Sequence, residues 1–293
     1  MKLQGIFPPI ATPFDHAGNL YAVKVQHNVE KWNKTTLSGY VVCGSTGEDV
    51  FLSTEEKFTL WELVAKHAAP EKQLIVGSGM ESAKETICLT NRAAEMGYKA
   101  ALIRTPHYFK NQMSQMGNQI VYYRAVADQV KIPVLLYNWP LMTGIDLTAE
   151  AVVALSEHPN IIGIKDSSGN VPRVMDIVRD ARDGFQVLVG SAQALLPSLM
   201  MGASGGILAF ANPAPYAAIA IWEAFRTRED AAARDWQDRV GRAATKTGKY
   251  GVPGLKHAMD LNGYYGGPPR LPLTAPGPEA KRDIEEAFKD LKG

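Results

Sequence analysis

The residue of this sequence best suited to covalent chemistry is a lysine that completes an apolar run, Ile161-Ile162-Gly163-Ile164-Lys165. Lysines are almost never fully buried without a reason. Carried toward apolar walls, an ammonium is desolvated, its pKa falls, and the neutral amine can attack a carbonyl carbon to give a Schiff base. The alternative is a strand-end lysine whose head reaches solvent or pairs with Asp166. Tyr137 closes a second run, Val134-Leu135-Leu136-Tyr137-Asn138. Adjacent strands lie about 4.8 Å apart, so a phenol there can approach the amine and relay the protons that carbinolamine dehydration and carbon-carbon cleavage require. An isolated tyrosine is as readily a core residue whose hydroxyl satisfies a backbone carbonyl. Gly44-Ser45-Thr46-Gly47 offers two hydroxyls and consecutive N–H groups in a tight turn sized for a carboxylate, although such loops favour these residue types anyway. Gly205-Gly206-Ile207 brings bare backbone close to a ligand or simply turns into a strand, and Tyr108 adds a hydroxyl after Thr105-Pro106-His107.

Each of these groups borders a short apolar, β-branched run, and the sequence holds eight such runs: 6–12, 39–43, 74–77, 100–105, 134–138, 161–165, 186–190 and 206–210. Their spacing, roughly 20 to 35 residues, is what a strand, a crossover helix and two loops need, which makes all eight parallel. Helix signals fill the gaps: Ser53-Thr54-Glu55-Glu56 has capping-box spacing, and 148–155 reads as a helix stopped by His158-Pro159. Eight βα units of about 210 to 230 residues predict an α/β fold of the (β/α)8 TIM-barrel class over residues 1–225. A C-terminal helical extension follows at 226–293; the helical stretch leading into it runs from 215 to about 247 and precedes a Gly/Pro-rich turn and a last helix, 278–291. A doubly wound sheet usually carries a nucleotide fingerprint after its first strand, and here Ala11-Thr12-Pro13-Phe14 has no glycine-rich turn. In such a barrel the active site occupies the C-terminal strand ends, where Lys165, Tyr137 and the Ser45-Thr46 turn all fall.

Lys and Arg number 31 against 30 Asp and Glu, a formal charge of +1 that gives no electrostatic reason to expect nucleic acid or an anionic membrane. The two cysteines, Cys43 and Cys88, default to structural burial and fit a reducing compartment. With prolines where a signal peptide needs an unbroken apolar run and no window long enough to span a bilayer, a cytoplasmic protein is expected. The six histidines lack metal-site spacing and most are expected at the surface; no serine-hydrolase elbow or phosphate loop is present.

Taken in order, the strand-end motifs resemble the pyruvate-dependent Schiff-base aldolase family that includes dihydrodipicolinate synthase and N-acetylneuraminate lyase. The resemblance runs from Phe-Pro-Pro-Ile-Ala-Thr-Pro-Phe at 7–14, through the three motifs, to Gly263-x-x-x-Gly267-x-x-Arg270-x-Pro272-Leu273. It implies that Lys165 forms an imine with a 2-oxo acid, that Tyr137 shuttles protons, and that Ser45 and Thr46 hold the substrate carboxylate with help from backbone at Gly190 and Ile207. It also implies that Tyr108 extends into a neighbouring subunit's site in a homotetramer, a dimer of dimers, and that no metal or organic cofactor is needed. Synthases of this family carry an arginine five residues beyond the tyrosine, where this sequence has Met142, and a thioether cannot pair with a carboxylate. Lys57 and His107 stand where a histidine and a tyrosine are common at the synthases' lysine-feedback site. Gly251-Val252-Pro253-Gly254-Leu255-Lys256, Met259-Asp260, Gly263-Tyr264-Tyr265-Gly266-Gly267-Pro268 and Lys165-Asp166-Ser167 look like 4-hydroxy-2-oxoglutarate aldolases, in which that serine is a substrate contact. The expected activity is a class I lyase cleaving 4-hydroxy-2-oxoglutarate to pyruvate and glyoxylate. The alternatives are the condensation of pyruvate with aspartate semialdehyde, a sugar-acid aldolase or dehydratase, and a 2-oxo acid binder without turnover.

Overall fold

The computed structural model describes residues 1–291. Its strands are β1 (Gly5–Phe7), β2 (Gly39–Val42), β3 (Gln73–Gly77), β4 (Ala100–Arg104), β5 (Val134–Asn138), β6 (Ile161–Asp166), β7 (Gln186–Val189) and β8 (Gly205–Ile207). They form one eight-stranded sheet in the order β1-β8-β7-β6-β5-β4-β3-β2, and every pairing from β3 to β8 is parallel. Sequential neighbours with helices between them make this the (β/α)8 class, followed by C-terminal helices. The two outermost expectations are corrected. β1 ends at Phe7 rather than at residue 12, because Pro8 and Pro9 cannot donate to a ladder, and pairing continues only as an isolated Pro9–Val41 bridge. β8 ends at Ile207, and residues 209–211 turn into a 3-10 helix instead of extending the strand.

Two compact units divide the chain. One comprises Met1–Gln4 and Leu74–Ile207. Here the strands are nearly continuous buried runs, as parallel strands covered on both faces should be. The helices Ala83–Glu95, Met116–Ala127, Ala149–Ser156 and Val171–Asp180 belong to the same unit. From Met116–Ala127 the fully buried Tyr123 donates to the Ile103 carbonyl at 3.2 Å and meets the Thr105 hydroxyl at 3.1 Å, satisfying its one polar atom. Thr148 caps the third of these helices, as its position before the apolar pattern predicts. Cys88, expected to be buried, is exposed on the outer face of Ala83–Glu95.

The other unit comprises Gly5–Gln73 and the chain from Leu208 onward. Its core joins Trp32 to Tyr264, stacked at 5.4 Å, and Phe210 to Phe288, stacked at 5.2 Å. Ser53 and Glu56 complete the predicted capping box on the helix Thr54–His67. The stretch from 215 to 247 is two helices, Pro215–Arg226 and Asp230–Gly248, broken where Arg228 takes a left-handed φ of 62°. The Gly/Pro-rich segment after it holds a helix, Gly251–Leu261, rather than only a turn. Pro253 lies in its first turn, where the missing N–H has no helical partner to lose. The last helix is Pro278–Phe288, and the domain boundary proposed at residue 225 falls at the end of Pro215–Arg226.

Candidate active site

β5 and β6 pair with Tyr137 opposite Lys165, and residues in register on neighbouring parallel strands leave the sheet on one face. The Lys165 ammonium nitrogen accordingly lies over the Tyr137 ring, 4.2 Å from its centre. Lys165 is only 4% exposed, and this burial alone pushes its pKa down to about 7. A nucleophile is thus available near neutral pH without a separate base.

Asp166 does not pair with the lysine. Alternation along β6 sends it to the opposite face, where its carboxylate accepts from Asn138 Nδ2 at 3.0 Å, Arg173 Nε at 2.9 Å, the Ser168 N–H at 2.8 Å and the Ser168 hydroxyl. Asn138 and Arg173 also bond Asp146, at 2.9 and 3.0 Å, while the Ser167 N–H donates to the Asn138 carbonyl at 2.9 Å. This network fixes the last turn of both strands behind the amine. The sequence signal for it is an acidic residue directly after a strand-end lysine, with an amide at the matching position of the strand before.

Ser167 and Lys165 lie on the same face and close around Gly190, whose N–H donates to the Asp166 carbonyl at 2.7 Å. A Cβ on Gly190 would stand 1.9 Å from Ser167 Oγ and 3.1 Å from Lys165 Cε. Glycine is therefore required there by close approach, and the structure brings Lys165, Tyr137, Ser167 and Gly190 together. Ile207 ends β8 as a fully buried residue. Tyr108 stands apart in the loop after β4: it is 78% exposed, edge-on to Phe109 at 5.2 Å, with its N–H held by Glu81 at 3.0 Å. Met142 is exposed in the short helix Pro140–Thr143.

In the other unit, residues 45–47 form a 3-10 turn rather than an open nest, since the Gly47 and Glu48 N–H groups bond the Gly44 and Ser45 carbonyls at 2.8 and 3.1 Å. Thr46 is buried and Ser45 half-buried. Glu48 closes the turn with a left-handed φ of 56°. Its carboxylate meets Lys256 Nζ at 2.5 Å, both side chains 1% exposed, and accepts the Arg270 N–H at 2.8 Å. Arg270 grips Glu56 through both terminal nitrogens at 2.6 and 2.8 Å. None of the six histidines is buried. Cys43 follows β2 in a left-handed conformation, buried, with its thiol pushed up to about 12 and so unreactive.

Compared with known proteins, the chain matches the Dihydrodipicolinate synthetase family over residues 2–291. A 4-hydroxy-tetrahydrodipicolinate synthase of Methanothrix thermoacetophila is 36% identical over 296 residues, covering 99% of this chain and 98% of its own. A probable mitochondrial 4-hydroxy-2-oxoglutarate aldolase of Emericella nidulans is 35% identical over 292 residues, covering 98% and 94%. Among solved structures, a dihydrodipicolinate synthase of Bacillus anthracis superposes with a TM-score of 0.94 at 27% identity over 100% of both chains. A prophage protein of the same family from E. coli K12, solved in complex with pyruvate, gives 0.91 at 28% identity over 98% of each.

Proposed function

Because the chain belongs to the dihydrodipicolinate synthetase family, a family of lyases and aldolases, we propose that it is a class I aldolase that cleaves 4-hydroxy-2-oxoglutarate to pyruvate and glyoxylate. The observation that carries the mechanism is the buried Lys165 amine, lowered to about 7 and lying on the Tyr137 ring. Lys165 attacks C2, and loss of water from the carbinolamine leaves a protonated imine. Tyr137, directly or through a water, removes the proton of the 4-hydroxyl. The C3–C4 bond then breaks, its electron pair passes to the imine as an enamine, and glyoxylate leaves. Protonation of the enamine at C3 and addition of water return pyruvate and the free amine.

Ser45 and Thr46 are proposed to hold the C1 carboxylate, with Gly190 and Ile207 presenting backbone and Ser167 a hydroxyl to the substrate; these roles rest on the motif resemblance. Tyr108 is proposed to serve a neighbouring subunit of a homotetramer, and light scattering tests the assembly. The substrate assignment is supported by Met142, which offers no charge where the synthases place an arginine, and by the resemblance of 251–268 to 4-hydroxy-2-oxoglutarate aldolases. The condensation of pyruvate with aspartate semialdehyde is the second reading, favoured by the name of the Methanothrix relative.

Incubation with pyruvate and borohydride, followed by digestion and mass spectrometry, is expected to find the reduced adduct on Lys165 and none in Lys165→Ala. An adduct elsewhere overturns the mechanism. In an acceptor panel, faster turnover of aspartate semialdehyde than of glyoxylate overturns the substrate assignment.

A further inference from the structure

β4 ends in a charged residue, Arg104, and the sheet register carries it into the row that holds the proposed reacting groups. Arg104 pairs with Tyr137, Tyr137 with Lys165, and Lys165 with Leu188. Residues in register on parallel strands project to one face, so Arg104, Tyr137 and Lys165 share theirs. The next residue confirms the alternation: Thr105 turns to the opposite face and bonds Tyr123 of the covering helix Met116–Ala127 at 3.1 Å. Gly79 leaves room on the near side, since a Cβ there would stand 3.2 Å from Arg104 Cγ and 2.6 Å from its backbone nitrogen. Arg104 is half-buried, and its guanidinium is a planar fork of N–H donors.

The order of groups across these strands matches the order of groups along a 4-hydroxy-2-oxo dicarboxylate. C2 is bound at Lys165, the C4 hydroxyl falls to Tyr137 one strand away, and the next atom, the C5 carboxylate, points on toward β4. Strands about 4.8 Å apart put Arg104 two spacings, about 10 Å, from Lys165 at the backbone, with Tyr137 on the strand between them. The exposed Met142 supplies no charge for that carboxylate.

Resting on the Schiff-base reading above, we propose that Arg104 is a specificity-determining residue that binds the distal carboxylate of the substrate, selecting 4-hydroxy-2-oxo dicarboxylates over analogues with a neutral tail.

The test compares kcat/KM for cleavage of 4-hydroxy-2-oxoglutarate with that for 4-hydroxy-2-oxopentanoate, in which a methyl group replaces the C5 carboxylate. The wild-type enzyme is expected to prefer the dicarboxylate. Arg104→Met is expected to lower its kcat/KM about 10- to 100-fold, the loss of a charge-assisted contact, while the methyl analogue stays within about threefold. Arg104→Lys is expected to restore part of the preference, because the charge remains and only the planar fork is lost. Pyruvate trapping on Lys165 is expected to be the same in all three proteins. Equal losses on both substrates, or no wild-type preference, overturn the assignment of Arg104 while trapping still upholds the Schiff base. A wild-type protein that traps no pyruvate overturns the underlying reading as well.

Discussion

Lys165 is held in an environment that costs the folded chain stability whenever the amine is charged. Its folded pKa of about 7 lies below the ordinary 10.5, so between those values the unfolded chain binds more protons and stability rises with pH. Below pH 7 the full cost remains. Lys165→Met is therefore expected to raise Tm, by at least about 2–4 °C at pH 6 and by progressively less toward pH 10, measured by thermal melts across pH. Trapping by pyruvate and borohydride has the matching kinetic sign: it climbs as pH rises through about 7 and levels off above. Tyr137→Phe keeps the lysine's burial and removes the proton relay, so cleavage is expected to fall about 100- to 10,000-fold while the pyruvate imine still forms. Both residues are legible in sequence because a polar group ending an apolar run is conspicuous. Arg104 lies one residue inside the run read to Thr105, and only the register aligns it with Tyr137, which depends on pairing that no local pattern specifies.

Between elements, contact geometry leaves little slack. Gly190→Ala on β7's end is expected to lower kcat/KM at least about 10-fold through the collision with Ser167, and Ser167→Ala in the same chain is expected to recover part of the imine-forming rate; both are read by trapping kinetics. The Glu48–Lys256 pair joins the 45–48 turn to the helix Gly251–Leu261. Removing one partner of a buried pair strands the other charge, so Lys256→Met is expected to cost about 3–5 kcal/mol in denaturant unfolding, and adding Glu48→Gln should return a substantial part. Strand positions were readable from β-branched runs, whereas strand ends failed where Pro8-Pro9 and the 209–211 turn withdrew backbone donors. The helix Gly251–Leu261 was hidden because Gly251, Pro253 and Gly254 are breakers by type. Here they serve the entry: Gly251 takes a φ of 56°, and a Cβ on Gly254 would stand 2.5 Å from Tyr250 Cβ.

At the scale of the molecule, a net charge of +1 offers an anionic substrate almost no long-range attraction. The kcat/KM of the wild-type enzyme for 4-hydroxy-2-oxoglutarate is therefore expected to change less than about threefold between about 20 and 300 mM salt, whereas steering by a charged surface would produce a steep decline. Composition and the eight-fold alternation were enough to read the fold class, because each βα unit repeats the same local logic. The division into two compact units was not readable, since one of them joins residues 5–73 to the chain from 208 onward, a pairing set by long-range contacts. That pairing also orders events during synthesis. The turn that carries Ser45 and Thr46 leaves the ribosome early, but the N–H that grips Glu48 belongs to Arg270, 222 positions later. A growing chain therefore exposes that turn long before the residue that clamps it has been made.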